Sequence, residues 1–539
     1  MREPGIEVLV AGAGPVGLTA AHELARRGVR VRVVDRASGP AATSRALASH
    51  ARTLEICAQM GVLDRLLSLG RRVEHFSMHM RGRQLIRFDT NYETLPTRFP
   101  FSLMLDQVVT EEVLRDSLAD LGVPVEWGVE LRDFDRHPDR VEVRLQHAGG
   151  SREELTVPWL VGTDGARSTV RKRLGFQLLG DTAQTWLNVD VTIDADLPGD
   201  SNHLLHTGNG TLLLVPFPEP GRWRVVDTVD IAGADDPEAV RARLAAKLSR
   251  ALGHDVTVST PAWVSVFTVQ QRMVDRMQAG RCFVAGDAAH VHSPASGQGM
   301  NTGIQDAWNL AWKLADVVRG HAAEGLLDSY SLERGPIGET LLKTTKTATA
   351  LVGLRNAAAR VTLPTGMRVV NALKPVKRKL EGKMIRGFCG LALHYPNSPL
   401  TMPADPGLLE GIQPGERVGC SVETEKASVG WQALSEQMTD PRWTLLCFGD
   451  APGLAGIDRD FGAAVAVRTV DGTGTGPLPD PGGYLRESFG VPGTGYAVIR
   501  PDGYLAAKGS RTGQLAEVLD RLHLVVRAET TERSENARH

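Results

Sequence analysis

The run Ile6-Glu7-Val8-Leu9-Val10-Ala11 predicts a buried strand, and a glycine-rich turn separates it from a helical stretch at 18–28. The apolar run 29–35 predicts the next strand. Together they make a strand, helix, strand unit of about 30 residues, the pattern of a right-handed parallel crossover. Helical periodicity follows over 48–69, strand-like irregular text over 75–103, and an amphipathic helix over 108–121 with Val109, Val113, Leu114, Leu118 and Leu121 on one face. Val141, Val143 and Leu145 alternate as in a strand, and 156–161 leads into a second glycine-rich turn.

Between 184 and 267 short strand candidates dominate (186–193, 211–216, 223–229 and 256–266), with a helix near 237–251. This strand-rich block interrupts the α/β framework and reads as a separate lobe. A buried strand returns at 281–286, then a long loop and a helix at 304–319, where Ala307, Leu310, Ala311, Leu314 and Val318 recur at core spacing. Proline and glycine rise over 396–416, as in a linker. Beyond it lie strands at 443–448 and 464–470, a hairpin 496–506 turning at Pro501-Asp502-Gly503, and a helix at 513–523. The polar tail 530–539 reads as disordered.

Composition narrows the function classes. At ~150 residues per domain, 539 residues suggest three or four domain-sized units. Lys plus Arg number 61 against 63 Asp plus Glu, a net charge of -2, so no overall positive field marks nucleic acid or anionic membrane as the main partner. Aromatics at 5% argue against a base-stacking surface. The longest apolar runs fall far short of the ~18 residues a membrane span needs, and the start lacks a signal-peptide pattern, so the chain reads as cytoplasmic. Five scattered cysteines include no C-x-x-C and no metal-type pair, so no metal is expected. Between 341 and 387 eleven Lys and Arg face one acid, Glu381, which reads as a solvated helical face or subunit contact, with attraction of an anionic cofactor as the alternative.

Three motifs carry chemistry. Gly12-x-Gly14-x-x-Gly17 lies between strand and helix, and Asp35 closes the second strand 18 residues after Gly17. Gly12 makes the turn, Gly14 lets the backbone approach a pyrophosphate at the helix N-terminus, Gly17 packs helix on strand, and the acid suits a ribose diol. This motif alone does not choose FAD over NAD. The second, Val161-Gly162-Thr163-Asp164-Gly165, puts an acid in a tight turn after a strand. The third, Gly286-Asp287-Ala288-Ala289-His290, repeats that arrangement before Ser293-Pro294-Ala295-Ser296-Gly297-Gln298-Gly299-Met300-Asn301. An acid at a strand end suits a hydroxyl-rich chain, and Gly297 and Gly299 would let a flat ring system lie against backbone. The helix opened by Met300 and Asn301 would stabilise negative charge on that ring. Gly472-x-Gly474-x-Gly476 reads as linker, so no second dinucleotide fold is expected.

In these motifs, and in the run from Gly286 to Leu314, the chain resembles the class A flavoprotein monooxygenases, the FAD-dependent aromatic hydroxylases, over about residues 5–395. The part from Tyr395-Pro396-Asn397-Ser398-Pro399 onward resembles the thioredoxin-like domain of the larger members, the phenol, pentachlorophenol and aromatic-polyketide hydroxylases, without C-x-x-C. The resemblance implies an α/β fold: a Rossmann-like FAD-binding domain with an inserted β-sheet substrate domain and a C-terminal thioredoxin-like domain. The expected FAD-binding segments are 1–74, 104–180 and 271–395, the last with a helical segment. The substrate domain takes 75–103 and 181–270, and the thioredoxin-like domain 396–529.

By the same resemblance Gly12, Gly14, Val16 and Gly17 would cradle the FAD pyrophosphate, Asp35 the ribose, and Arg36 would lie beside the adenine. Arg45, Gln107 and Leu131 would line the cofactor, Asp164 would serve FAD and NAD(P)H in common, and Asp287 would meet the ribityl chain. Pro294, Gly297, Gly299, Met300 and Asn301 would meet the isoalloxazine edge. NADPH or NADH would supply electrons and O2 would be co-substrate, with oxygen passed from a flavin C4a-hydroperoxide to an electron-rich ring. His206, His203, His79 and Tyr92 are the candidates for assisting phenol ionisation. The expected substrate is a polycyclic aromatic polyketide. The alternatives are a simple (halo)phenol hydroxylase, a Baeyer-Villiger or epoxidising variant, and a flavoprotein that oxidises or binds an aromatic ligand without inserting oxygen. A homodimer is the expected assembly, with no nucleic-acid or membrane partner.

Overall fold

The computed structural model describes residues 5–43, 46–89, 95–207, 210–291, 297–338, 366–367, 369–449, 454–472 and 477–525. Arg45, Tyr92 and Pro294, most of the basic stretch 341–387 and the end of the Gly472 loop lie outside these residues, as does the polar tail. By internal contacts the chain divides into two units. One comprises 1–311, 330–393 and 419–427, and the other 312–329, 394–418 and 428–539.

In the first unit, Val8–Ala11 is the centre of a six-stranded sheet ordered Gln278–Ala279, Cys282–Val284, Trp159–Gly162, Val8–Ala11, Val31–Asp35, Val125–Trp127. All pairings are parallel except the edge hairpin at 278–284. Val8, Leu9 and Val10 are fully buried, as expected for a parallel strand covered on both faces. A three-stranded antiparallel sheet over Val129–Arg136, Val141–His147 and Arg152–Val157 follows.

The strand-rich block forms a nine-stranded sheet. Its path runs His290–Val291, Trp263–Met273, Leu179–Asp194, Arg222–Asp227, Thr211–Pro216, Ser201–His206, His75–Met80, Arg83–Asp89, with Thr257–Val258 paired to Leu179–Asp194. The helix Pro237–Leu252 covers one face through Val240, Leu244 and Leu248, which pack on Leu187, Val189, Leu205, Leu212 and Leu214. Asp236 caps it, and Gly253 at φ +79° ends it.

Two sequence expectations change on backbone chemistry. The single helix over 48–69 is two, Ala51–Met60 and Leu63–Leu69, because Gly61 at φ +78° closes the first in a left-handed cap. The strand over 256–266 is also two pieces, with Pro261 between Thr257–Val258 and Trp263–Met273, where a residue lacking N–H cannot extend a ladder.

The second unit holds a five-stranded sheet ordered Leu478–Pro479, Val465–Asp471, Trp443–Phe448, Gly495–Ile499, Leu505–Gly509. Its first three strands are parallel and its last two pair antiparallel. Residues 312–329, which the sequence reading placed with the FAD-binding segment, belong here. The Trp312 ring meets Trp443 edge-on at 5.3 Å, Trp443 Nε1 donates to Asp316 at 3.1 Å, and Ala323 and His321 pair by backbone with His523 and Val525.

Candidate functional site

The glycine loop is built so that only one of its faces is open. Gly12 sits at φ +108°, and a Cβ there would lie 2.4 Å from the Thr163 carbonyl oxygen. A Cβ at Gly17 would lie 1.9 Å from the Gly12 carbonyl oxygen. Around Gly14, in contrast, none of the described residues lies within 4 Å of an ideal Cβ. Gly14 is the N-cap of the helix Pro15–Arg26, which has no side-chain cap and no acid in its first turn. Its first amides and the positive end of its dipole therefore face outward, as a pyrophosphate requires. Asp35 accepts hydrogen bonds from Ala13 N and Ala37 N, each at 2.8 Å, which ties the acid to the loop, while Arg36 beside it is exposed.

The second acid turn buttresses that loop. The Thr163 hydroxyl donates to Ala11 O at 3.0 Å and Gly12 O at 2.9 Å. Asp164 does not present a free carboxylate. Its Oδ1 accepts from the Ser168 hydroxyl, and its Oδ2 from Thr169 N at 2.6 Å and Val170 N at 3.2 Å, so it caps the helix Thr169–Arg173. Burial pushes its carboxyl up from the usual range, against the pull of these donors. In this arrangement Asp164 shapes the turn. Gln107 accepts from Ala46 N at 3.1 Å and donates to Glu111 at 2.8 Å, pinning the segment next to Arg45. The Leu131 side chain is buried in the three-stranded sheet opposite Leu145.

The third motif converges on the first at Val16. A Cβ at Gly286 would lie 2.8 Å from Val16 Cγ2, and one at Gly303 2.6 Å from the same atom. Val16 thus packs the first helix against both the acid turn and the helix Gly299–Val318. Asp287 is exposed between buried Gly286 and Ala288. Beneath it, Asp306 accepts from Gly286 N at 3.1 Å, His290 Nε2 at 2.5 Å and Arg334 Nε at 2.7 Å, and Arg334 also donates to Thr302 O at 3.2 Å.

Asn301 performs the same service for the ring end. Its Nδ2 donates to Ala48 O at 2.8 Å and Gly297 O at 2.7 Å, while its Oδ1 accepts from His50 N at 2.9 Å and the Thr53 hydroxyl at 2.7 Å. Asn301 therefore holds a backbone edge rather than projecting at a ring. Gly297 at φ +62° and Gly299, with nothing within 4 Å of its Cβ position, leave that edge accessible, and Met300 is half-buried beside them. The sequence reading gave no role to Thr163, His50, Thr53, Asp306 or Arg334. A signal existed for Asp306, a carboxylate one helical turn before the core-spaced Leu310, which must be paired if buried.

The histidine candidates separate by sheet face. His203 is fully buried on the helix-covered face, where its Nε2 donates to Pro198 O at 2.9 Å and its ring meets Trp223 edge-on. Its Nδ1 therefore accepts from His79 Nε2 at 3.1 Å. Burial holds both imidazoles below their ordinary pKa, His79 at about 4 with His203 adding to the effect. These two are structural, a correction to the sequence reading. His206, buried one position past Leu205, faces the other way, on the side of Trp186, Leu204, Leu213 and Val226. That face continues through Val215 to Leu47, Ala48 and Met104, beside the segment that Asn301 holds.

Among the described residues no group of three His, Cys, Asp or Glu is arranged to hold a metal, and no helix is long and apolar enough to cross a membrane. A family profile described as FAD binding domain matches residues 5–345. The chain is 61% identical over 527 residues to the 6-methylpretetramide 4-monooxygenase of Streptomyces rimosus, covering 97% of this chain and 94% of that one. It is similar in structure to an anhydrotetracycline hydroxylase from Streptomyces rimosus (TM-score 0.72, 28% identity, 96% and 99% of the two chains). It is also similar to an aklavinone-11 hydroxylase solved with FAD and aklavinone (TM-score 0.75, 26% identity, 97% and 100%).

Proposed function

The chain belongs to the class A flavoprotein monooxygenases, the FAD-dependent aromatic hydroxylases, and from that premise we propose that its substrate is a tetracycline-type polycyclic phenol, 6-methylpretetramide or a near relative. The observation that carries this reading is the identity to the 6-methylpretetramide enzyme along nearly the whole chain, through the substrate sheet and not only the cofactor motifs.

The residues fit FAD. The open face at Gly14 and the uncapped helix behind it would hold the pyrophosphate, Asp35 the ribose, and Asp287 the ribityl hydroxyls. The edge from Gly297 to Met300 would support the ring system. When bound, FAD supplies the redox chemistry, taking electrons from NAD(P)H and activating O2 for insertion into the substrate ring. The protein's share is to orient the phenol, exclude water and assist loss of its proton. His206 is the candidate for that proton, since His79 and His203 lie on the far face of the sheet.

We read the second unit as thioredoxin-like. A parallel βαβ followed by a ββα hairpin unit in one mixed sheet supports this. Its single cysteine, Cys447, is buried and its thiol is pushed up to about 12 by burial, so packing rather than redox exchange is its role.

The test is turnover of the holoenzyme with NADPH and 6-methylpretetramide under labelled O2. One labelled oxygen per product supports hydroxylation, whereas peroxide with no labelled product overturns it in favour of an oxidase.

A further inference from the structure

The face of the nine-stranded sheet turned away from its helix has an ordered layout. Strand register places Asn188, Val226, Leu213, Leu204 and Met78 in one row across five strands, about 19 Å at the usual inter-strand spacing. Beyond Asn188 the row is a flat apolar floor. Two positions from Asn188 toward the strand start lies Trp186, and two positions the other way lies Asp190, all three on this face.

Several buried polar groups elsewhere in the sheet are paired. Asp190 takes a bidentate contact from Arg224, two hydrogen bonds of 2.8 Å, the Thr211 and Thr228 hydroxyls meet at 3.3 Å, and Ser77 meets Ser201 at 3.0 Å. Trp186 and Asn188 differ. Both are more than nine-tenths buried, yet among the described residues Trp186 Nε1 and Asn188 Oδ1 have no hydrogen-bond partner. Half-buried Asn202, on the same face in the row of Asp190 and Arg224, has its Oδ1 in the same condition.

A buried donor or acceptor left unpaired costs a fold roughly 1–3 kcal/mol, and apolar replacements of similar shape are available at both positions. Two orphan side chains, set two positions apart on one strand (about 7 Å between their Cα atoms) at the margin of an apolar floor, fit a planar ligand that brings the missing partners. We infer that Trp186 and Asn188 recognise the oxygenated edge of the substrate. Trp186 Nε1 donates to a carbonyl or phenolate oxygen, and Asn188 Oδ1 accepts from a hydroxyl or carboxamide N–H. The fused rings lie on Val226, Leu213 and Leu204, which link this edge to the Val215, Ala48 and Asn301 side of the site. This assignment rests on the polycyclic-phenol reading above and names the polar contacts that select within that class.

The test titrates 6-methylpretetramide into the holoenzyme and its Trp186→Phe and Asn188→Leu variants, following the bound-flavin absorbance, with flavin content and Tm measured in parallel. We expect Kd to rise about tenfold in each variant, the effect of one lost buried hydrogen bond, with flavin content unchanged. Asn188→Leu should keep or raise Tm, because an unpaired buried atom has been removed. Wild-type Kd in both variants would overturn the inference and leave the function standing. Failure of the wild-type holoenzyme to bind 6-methylpretetramide would overturn the functional reading, and this inference with it.

Discussion

His290 Nε2 lies 2.5 Å from Asp306 Oδ2 with both side chains 1% exposed, and the same carboxylate receives the amide of Gly286. Asp306 thereby grips the acid turn on both sides of exposed Asp287, while Arg334 balances its charge from the opposite oxygen. Burial opposes that charge, yet His290 and Arg334 hold the carboxyl down at about 2.

Asp306→Asn removes the charge and leaves Arg334 without its carboxylate. Breaking a buried pair costs about 3–5 kcal/mol. The variant should lose several degrees of Tm and bind FAD at least about tenfold more weakly, measured as flavin retained after gel filtration and as Kd for added FAD. A full flavin complement at wild-type Tm would show that the grip is dispensable.

Gly14 and Gly17 stand three residues apart but should fail differently as alanines. At Gly17 the new methyl meets the Gly12 carbonyl at 1.9 Å, so the apoprotein should lose about 1–3 kcal/mol of stability. At Gly14, whose φ of -74° alanine also adopts, none of the described residues is met. Gly14→Ala should therefore leave apoprotein stability near wild type and weaken FAD binding, because the methyl enters the space assigned to the pyrophosphate. Equal FAD affinity in Gly14→Ala and wild type would remove the cofactor from that face.

The His79–His203 pair makes stability depend on acid. The unfolded chain takes up a proton on His79 near its ordinary pKa of 6.5, whereas the folded state resists until about 4. The neutral pair's contribution is full above pH 6.5 and declines as pH falls toward 4. Replacing His79 with Gln should flatten the pH dependence across that window by about 1–2 kcal/mol, read from urea midpoints at several pH values. Parallel wild-type and variant profiles would show that the pair stays neutral at no cost.

The cofactor cradle was legible because its requirements are backbone requirements. Gly12 and Gly17 leave no room for a side chain, so the demand is written as residue type and spacing. The sheet faces were not: His79, His203 and His206 look alike in sequence, and only the register beside Ser77 and Leu205, with the helix Pro237–Leu252 covering one side, separates them. The capping by Asp164 was not legible either, because an acid in a glycine turn suits a ligand and a helix cap equally well, and the cap depends on where Ser168 and Thr169 place their donors. Residues 312–329 continue a helix that begins in the first unit, so periodicity alone could not show that Trp312 and Asp316 pack with Trp443.

His206 and His203, three residues apart in one strand, provide the last contrast. An imidazole beside a bound phenol can take its proton as the ring becomes nucleophilic, which is worth about 10²-fold or more when the geometry is right. His206→Ala should therefore slow product formation at least about tenfold while NADPH reduces the bound flavin at the wild-type rate, both read by stopped flow. His203→Ala removes the donor to Pro198 and the ring against Trp223, so it should lower Tm by several degrees. Its rate of product formation per folded, flavin-loaded enzyme should be preserved. The two faces of the sheet make opposite demands on the same residue type, and the pair of variants separates them only if stability and rate are measured on the same preparations. Unchanged product formation in His206→Ala would leave phenol ionisation to a group other than the sheet's histidines.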